Sequence, residues 1–224
     1  MRQLVLIQGY KACLLRKACC RMIAIIDYGM GNLQSVSMAV ERLGYEAVVT
    51  ANADVIASAS GAILPGVGAY GDAMRNLQSS GLDDVVKRYA ASGKPLLGIC
   101  LGMQLLFGES EEYGIHKGLG LLPGKVVRFK GDFKIPHMGW NRLSLQDASS
   151  PLFEDMSEEH VYFVHSFHVL PDTASDLLAK TDYYGDVTAI VGRDNVYGMQ
   201  FHPEKSGKPG MKLLHNFLKL TGNR

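Results

Sequence analysis

Through the first hundred positions, apolar residues gather in short, largely unbroken runs. Those at 22–27, 46–50, 61–64 and 95–99 each read as a buried strand. Between them, near 32–44, 70–79 and 82–92, apolar positions recur every three or four residues and predict amphipathic helices. Strand–helix alternation on this scale implies βαβ units, and hence a mostly parallel sheet with helices on both faces. The pattern changes in the second half. Runs at 126–129, 161–164, 187–191 and 196–201 are separated by brief turns, which predicts antiparallel strands extending the sheet. A last helical pattern spans about 206–220. No repeat, low-complexity tract or linker interrupts 22–224, so that span reads as one α/β domain.

Composition narrows the function classes. The chain has 224 residues, 47% of them hydrophobic, enough for a substantial core. Its 23 Lys and Arg against 22 Asp and Glu leave a net charge of +1, and no basic stripe is interleaved with aromatics. A nucleic-acid partner is therefore not expected. Nor does any apolar run approach the ~18 residues of a membrane span. The first 21 residues break the pattern: Lys11, Arg16, Lys17 and Arg21 interrupt them before the clean strand that opens at Met22. Residues 1–21 are read as a dispensable extension, with Met22 as the natural start. Three of the four cysteines, Cys13, Cys19 and Cys20, lie in that stretch without C-x-x-C spacing, so neither a zinc site nor a disulfide framework is indicated. A reducing, cytoplasmic setting fits best.

The fourth cysteine carries the chemistry. Lys94-Pro95-Leu96-Leu97-Gly98-Ile99-Cys100-Leu101-Gly102-Met103-Gln104 reads as a buried strand, a sharp turn and the start of a helix. Glycine flanks Cys100 at i−2 and i+2, where side chains would collide with the neighbouring strand and helix. This is the cysteine form of the nucleophile elbow, with the sulfur set at a helix start whose dipole favours a thiolate. A nucleophile needs a base, and the base an orienting partner. Phe201-His202-Pro203-Glu204 supplies both, because extended residues i and i+2 point to one side and Pro203 restrains His202. Gly66-Val67-Gly68 ends the third strand and forms, with Gly71, a literal G-x-G-x-x-G. A dinucleotide fingerprint belongs on the first strand and is followed by a strand-end acid about 20 residues on; neither condition holds. The segment reads instead as an oxyanion loop. The N–H groups of Val67 and Gly68 would face the elbow, and Leu101 N–H, just after the nucleophile, would be the second donor. His165 and His168 lie three apart in a strand-like stretch and read as packing or surface residues rather than metal ligands.

Gly98-Ile99-Cys100-Leu101-Gly102-Met103-Gln104 together with His202-Pro203-Glu204 resembles the triad-type, class I glutamine amidotransferases. Ile26-Asp27-Tyr28-Gly29-Met30-Gly31-Asn32-Leu33, Pro136-His137-Met138-Gly139-Trp140-Asn141 and Tyr162-Phe163-Val164-His165-Ser166 narrow the resemblance to the glutaminase subunits of imidazole glycerol phosphate synthases. It runs from Met22 to the C-terminus. The resemblance implies hydrolysis of L-glutamine through a thioester on Cys100, with His202 as base and Glu204 as its orienting group. The ammonia would pass to a separate cyclase subunit, a (β/α)₈ barrel forming a heterodimer with this chain, in a step of histidine biosynthesis. It further implies that Gly66, Gln104, Ser166 and Phe167 bind glutamine, and that Asn32, Trp140, Tyr162 and Lys205 face the cyclase and the ammonia passage. No cofactor and no metal are implied. A glutaminase of another synthase, such as that of anthranilate synthase, is the alternative; those usually lack the opening at 27–32.

Overall fold

A computed structural model describes residues 22–222. The expected extension at 1–21 lies outside the described residues.

In β1 (Met22–Ile26) the four residues after the half-buried Met22 are buried on both faces, as a central parallel strand requires. It lies between β2 (Glu46–Thr50) and β3 (Gly61–Gly66); β3 pairs in parallel with β4 (Leu96–Cys100). The connections are α1 (Leu33–Arg42), the short α2 (Ala53–Ser58), whose N-terminus Asn52 caps, and the pair α3 (Tyr70–Ser79) and α4 (Leu82–Ala91). After Cys100 come α5 (Leu101–Leu105), β5 (Phe107–Ser110), β6 (His116–Lys117), β7 (Leu122–Arg128), β8 (His137–Leu145) and β9 (His160–His165). The chain ends with β10 (Phe167–Pro171), β11 (Leu177–Asp182), β12 (Asp186–Arg193), β13 (Val196–Met199) and α6 (Gly207–Leu220). Nine strands form one sheet in the order β2-β1-β3-β4-β13-β12-β11-β8-β9, and four form a second, β10-β7-β5-β6.

Helices cover both faces of the large sheet, as the alternation predicts. Tyr70, Met74 and Leu77 of α3 and Val86 and Tyr89 of α4 pack with Ala24, Ile26 and Leu64 on one side. Val36 and Val40 of α1 and Leu213, Leu214 and Phe217 of α6 pack with Ile23, Ile25, Ile63 and Ile99 on the other.

The second half departs from expectation in two places. The strand at 196–201 ends at Met199 and pairs with β4 in parallel, so only its β12 side is antiparallel. The run at 126–129 does not extend the large sheet; within β7 it pairs with β10 and β5 in the small one. Strand β8 escapes a hydrophobic reading because only His137 and Leu143 of its nine residues are fully covered. The parallel register then positions the site. It sets Gly66 beside Cys100 and Met199 beside Ile99, so the carboxyl ends of β3, β4 and β13 open at one edge. Open parallel sheets place ligands beyond those ends.

Candidate active site

Cys100 ends β4 with φ 55° and ψ −112°, a left-handed conformation that costs a non-glycine residue about 1–3 kcal/mol. The turn is tight enough that its flanking glycines are there for space. A Cβ on Gly98 would lie 2.6 Å from the Gly102 carbonyl oxygen, and one on Gly102 would collide with the Leu64 carbonyl oxygen on β3. Both obstacles are backbone and cannot swing away. Gly102→Ala is accordingly expected to destabilise the protein by about 3 kcal/mol or more, read as a fall in the midpoint of chemical unfolding. The helix after the elbow is shorter than the apolar run suggests. It stops after Leu105, because Phe107 opens β5 by pairing with Leu122 of β7, so a helix of one turn contributes little dipole at the sulfur.

His202 and Glu204 follow β13, the strand beside β4, and this adjacency brings them to Cys100. His202 Nδ1 lies 2.9 Å from Glu204 Oε1, with the two side chains only 5% and 1% exposed. The imidazole therefore gives its Nδ1 hydrogen to the carboxylate and turns Nε2 toward the cavity. Ser206 holds the segment in place: its hydroxyl donates to the His202 carbonyl at 2.7 Å and accepts from Tyr162 N–H at 2.9 Å. Burial works against a charge on His202, but hydrogen bonding and charge attraction from Cys100 and Glu204 lift its pKa to about 9. It is a strong base facing the sulfur.

A cavity of about 300 Å³ opens between Cys100 and His202. Val67, Gly68, Leu101, Gln104, Ser166 and Phe167 all line it, as expected from the sequence. Gly66 does not. It is buried at the end of β3, where a Cβ would come within 2.7 Å of both Gly102 N and the Tyr28 hydroxyl, so its missing side chain permits close packing behind the elbow. Glu204 stands behind His202. Trp140 and Tyr162 are paired across β8 and β9, ring centroids 5.9 Å apart, outside the cavity. Asn32 precedes α1 with no capping bond from its side chain, and Lys205 is exposed on the turn after Glu204.

Three further residues at or beside the cavity were given no site role by the sequence. Gln200 is fully buried; its Nε2 faces Cys100 Sγ at 3.9 Å, while its Oε1 accepts from Gln104 Nε2 at 3.1 Å. Glu112, on the loop after β5, places a buried carboxylate in the cavity wall, where its Oε2 accepts Tyr70 N–H at 2.7 Å. Burial raises its pKa, partly offset by that N–H and by His116. His165, read as a packing residue, also lines the cavity. Contacts between segments far apart in the chain bring both here: Tyr70 N–H holds Glu112, and the pairing of β8 with β9 places His165.

The profile of the class-I glutamine amidotransferases matches residues 24–220. The imidazole glycerol phosphate synthase subunit HisH of Geobacillus thermodenitrificans is 54% identical over 209 residues, covering 91% of this chain and 98% of that protein. The chain is a class-I glutamine amidotransferase of the HisH family. The HisH protein of Syntrophotalea carbinolica is 51% identical, over 88% of this amidotransferase and 98% of its own length. Among solved structures, a glutamine amidotransferase superposes with TM-score 0.72 at 23% identity, covering 89% of this chain and 98% of that one. PurLQS from Thermotoga maritima gives 0.71 at 22%, with the same coverages; at such identities the likeness speaks for the amidotransferase fold alone. No helix among the described residues of this amidotransferase is long and apolar enough to cross a membrane.

Proposed function

We propose that this chain is the glutaminase subunit of an imidazole glycerol phosphate synthase, working in the cytoplasm on a Cys100–His202–Glu204 triad. The observation that carries the triad is the elbow sulfur sharing one cavity with an imidazole whose far nitrogen is pinned 2.9 Å from a buried carboxylate. His202 Nε2 takes the thiol proton first, giving an imidazolium–thiolate pair, and Sγ then attacks the carboxamide carbon of glutamine. The tetrahedral intermediate expels ammonia, with His202 returning the proton to the leaving nitrogen. Water, deprotonated by His202, then cleaves the thioester; glutamate leaves and the thiol is restored. Negative charge on the carbonyl oxygen is met by Leu101 N–H and by the N–H groups of Val67 and Gly68. Gly68, at φ +97°, lets that loop turn its peptide, so the oxyanion site can be completed on demand. Glu112 offers its carboxylate to the α-ammonium of glutamine, and Ser166 and Phe167 present backbone groups.

The HisH relatives are named as synthase subunits, and the matching chemistry here is an ammonia-consuming cyclase with a (β/α)₈ barrel as heterodimer partner. Met138 and Trp140 stand 50% and 55% exposed on β8, with Val67 41% exposed, an apolar surface suited to a partner. Asn32, Tyr162 and Lys205 complete the proposed contact. Trp140→Ala is expected to weaken binding of the cyclase by about tenfold or more with the melting temperature unchanged, as measured by titration of the two subunits. The deciding experiment is glutamate release by the full chain, alone and with the cyclase and its ribulosyl ligand. Strong stimulation by the loaded partner supports the synthase reading. Full activity indifferent to the barrel removes it and leaves a free-standing glutaminase.

A further inference from the structure

Gln200 has no part in the triad, yet its side chain meets the sulfur. It stands two positions before His202, with its backbone N–H bonded to the Ala189 carbonyl at 2.9 Å and its side chain fully buried. A buried amide must be turned one way or the other, and here its neighbours decide. The Phe167 carbonyl oxygen can only accept, so the Gln104 atom 2.9 Å from it is the amide nitrogen, Nε2. The second hydrogen of that nitrogen goes to Gln200 at 3.1 Å, so the Gln200 atom it meets is Oε1. The Gln200 nitrogen is thereby left facing Cys100, its Nε2 3.9 Å from Sγ. The hydrogen count closes: Gln104 gives two, Phe167 and Gln200 accept one each, and Gln200 has its own to give to sulfur.

That orientation matters once the sulfur is charged. The thiol proton moves to His202, and the thiolate remains on a residue only 8% exposed. A buried anion needs donors around it. The single turn of α5 supplies little dipole, and the buried Tyr28 hydroxyl is spent on the Pro65 carbonyl at 2.9 Å. Glu112 in the cavity wall and Glu204 behind His202 are acidic groups. That leaves the His202 imidazolium and the Gln200 amide as the side chains that can donate to sulfur. A contact of 3.9 Å is long, as catalytic contacts commonly are before substrate binds, and a charged acceptor draws its donor closer.

We propose that Gln200 is a catalytic residue of the glutaminase reaction: its side-chain N–H donates to the Cys100 thiolate, held in that orientation by Gln104 and the Phe167 carbonyl. Gln200 gives up no proton. Its bond to sulfur strengthens when the thiol proton passes to His202 Nε2 and weakens when Sγ forms its bond to the glutamine carbon. It therefore favours the imidazolium–thiolate pair from which attack begins. The proposal rests on the reading of Cys100 as the glutaminase nucleophile.

Gln200→Met keeps the length of the side chain and loses both polar atoms. Alkylation of the full chain by iodoacetamide reads thiolate formation without substrate. Following the Cys100 peptide by mass spectrometry leaves Cys13, Cys19 and Cys20 out of the count. The pH midpoint of alkylation is expected to rise by about one unit in the variant, which is about a tenfold loss of thiolate below it. In the cyclase complex, kcat for glutamine should fall about tenfold or more with KM within about threefold. An unmoved midpoint overturns the proposal; joined to a raised KM, it reduces Gln200 to a prop for Gln104. Should Gln200→Met fail to fold, nitrogen-15 NMR of the wild-type chain decides. The Gln200 side-chain N–H signals are expected to shift at the Cys100 midpoint and to lose that step in Cys100→Ala; signals that ignore the midpoint overturn the contact. A wild-type complex that hydrolyses no glutamine removes the glutaminase reading instead, and the alkylation midpoints still decide whether Gln200 holds the thiolate.

Discussion

Cys100→Ala lowers glutamine hydrolysis by the cyclase-bound chain by about four orders of magnitude or more, because loss of the nucleophile leaves no route to a thioester. The change removes only sulfur from a residue already held at φ 55° by its surroundings, so the fold should survive it. Ammonia supplied in solution is the internal control. A cyclase bound to the Cys100→Ala chain should still make product from external ammonia, while the glutamine-dependent rate vanishes. Residual glutamine hydrolysis near the wild-type rate would move the chemistry away from the elbow. The prediction is sharper than a generic nucleophile test because Cys100 is the only cysteine among the described residues.

Glu204→Gln is the second large effect, expected to cost about a hundredfold to ten-thousandfold in glutaminase rate. The amide can still meet Nδ1, but it can equally donate to it, and the imidazole then presents N–H rather than a lone pair to the sulfur. The same substitution has a signature in stability. Burial depresses His202, while Cys100 and Glu204 raise it, and the net pKa of about 9 lies above the ordinary histidine value of 6.5. A group whose pKa is raised on folding stabilises the protein fully below the unfolded value and loses that contribution as pH climbs through the folded one. The wild type should therefore melt higher than Glu204→Gln by the widest margin below about pH 6.5, with the gap closing as the pH passes about 9. A gap that widens toward alkaline pH would show that His202 is not the protonated partner.

Much of the site was legible because its determinants are local. The glycines around Cys100 answer to backbone atoms a few residues away and one strand over, and the His202-Pro203-Glu204 spacing needs only an extended segment to aim both side chains together. Val67, Gly68, Leu101 and Gln104 follow from the same turns, and all reach the cavity. Gly66 stands outside the cavity lining, and its missing side chain answers to Gly102 and Tyr28, a packing demand that looks the same in sequence as a ligand's. Glu112, His165 and Gln200 were missed for a different reason. Each is held at the site by a residue distant in sequence: Glu112 by Tyr70, His165 by His137 and Gln200 by Gln104.

By itself, the sequence determined the α/β class, the elbow and the residues able to act as nucleophile, base and orienting acid. Period and spacing encode those directly, since they depend on neighbours within a turn or a strand. Tertiary structure alone decided the rest. It inserted β13 in parallel beside β4, so that His202 meets Cys100. It split off a four-stranded sheet that carries Phe167 to Gln104, and paired β8 with β9 so that His137 touches His165. Strand pairing between segments far apart depends on which whole arrangement buries the most apolar surface with every buried polar group satisfied. No short window of sequence contains that sum.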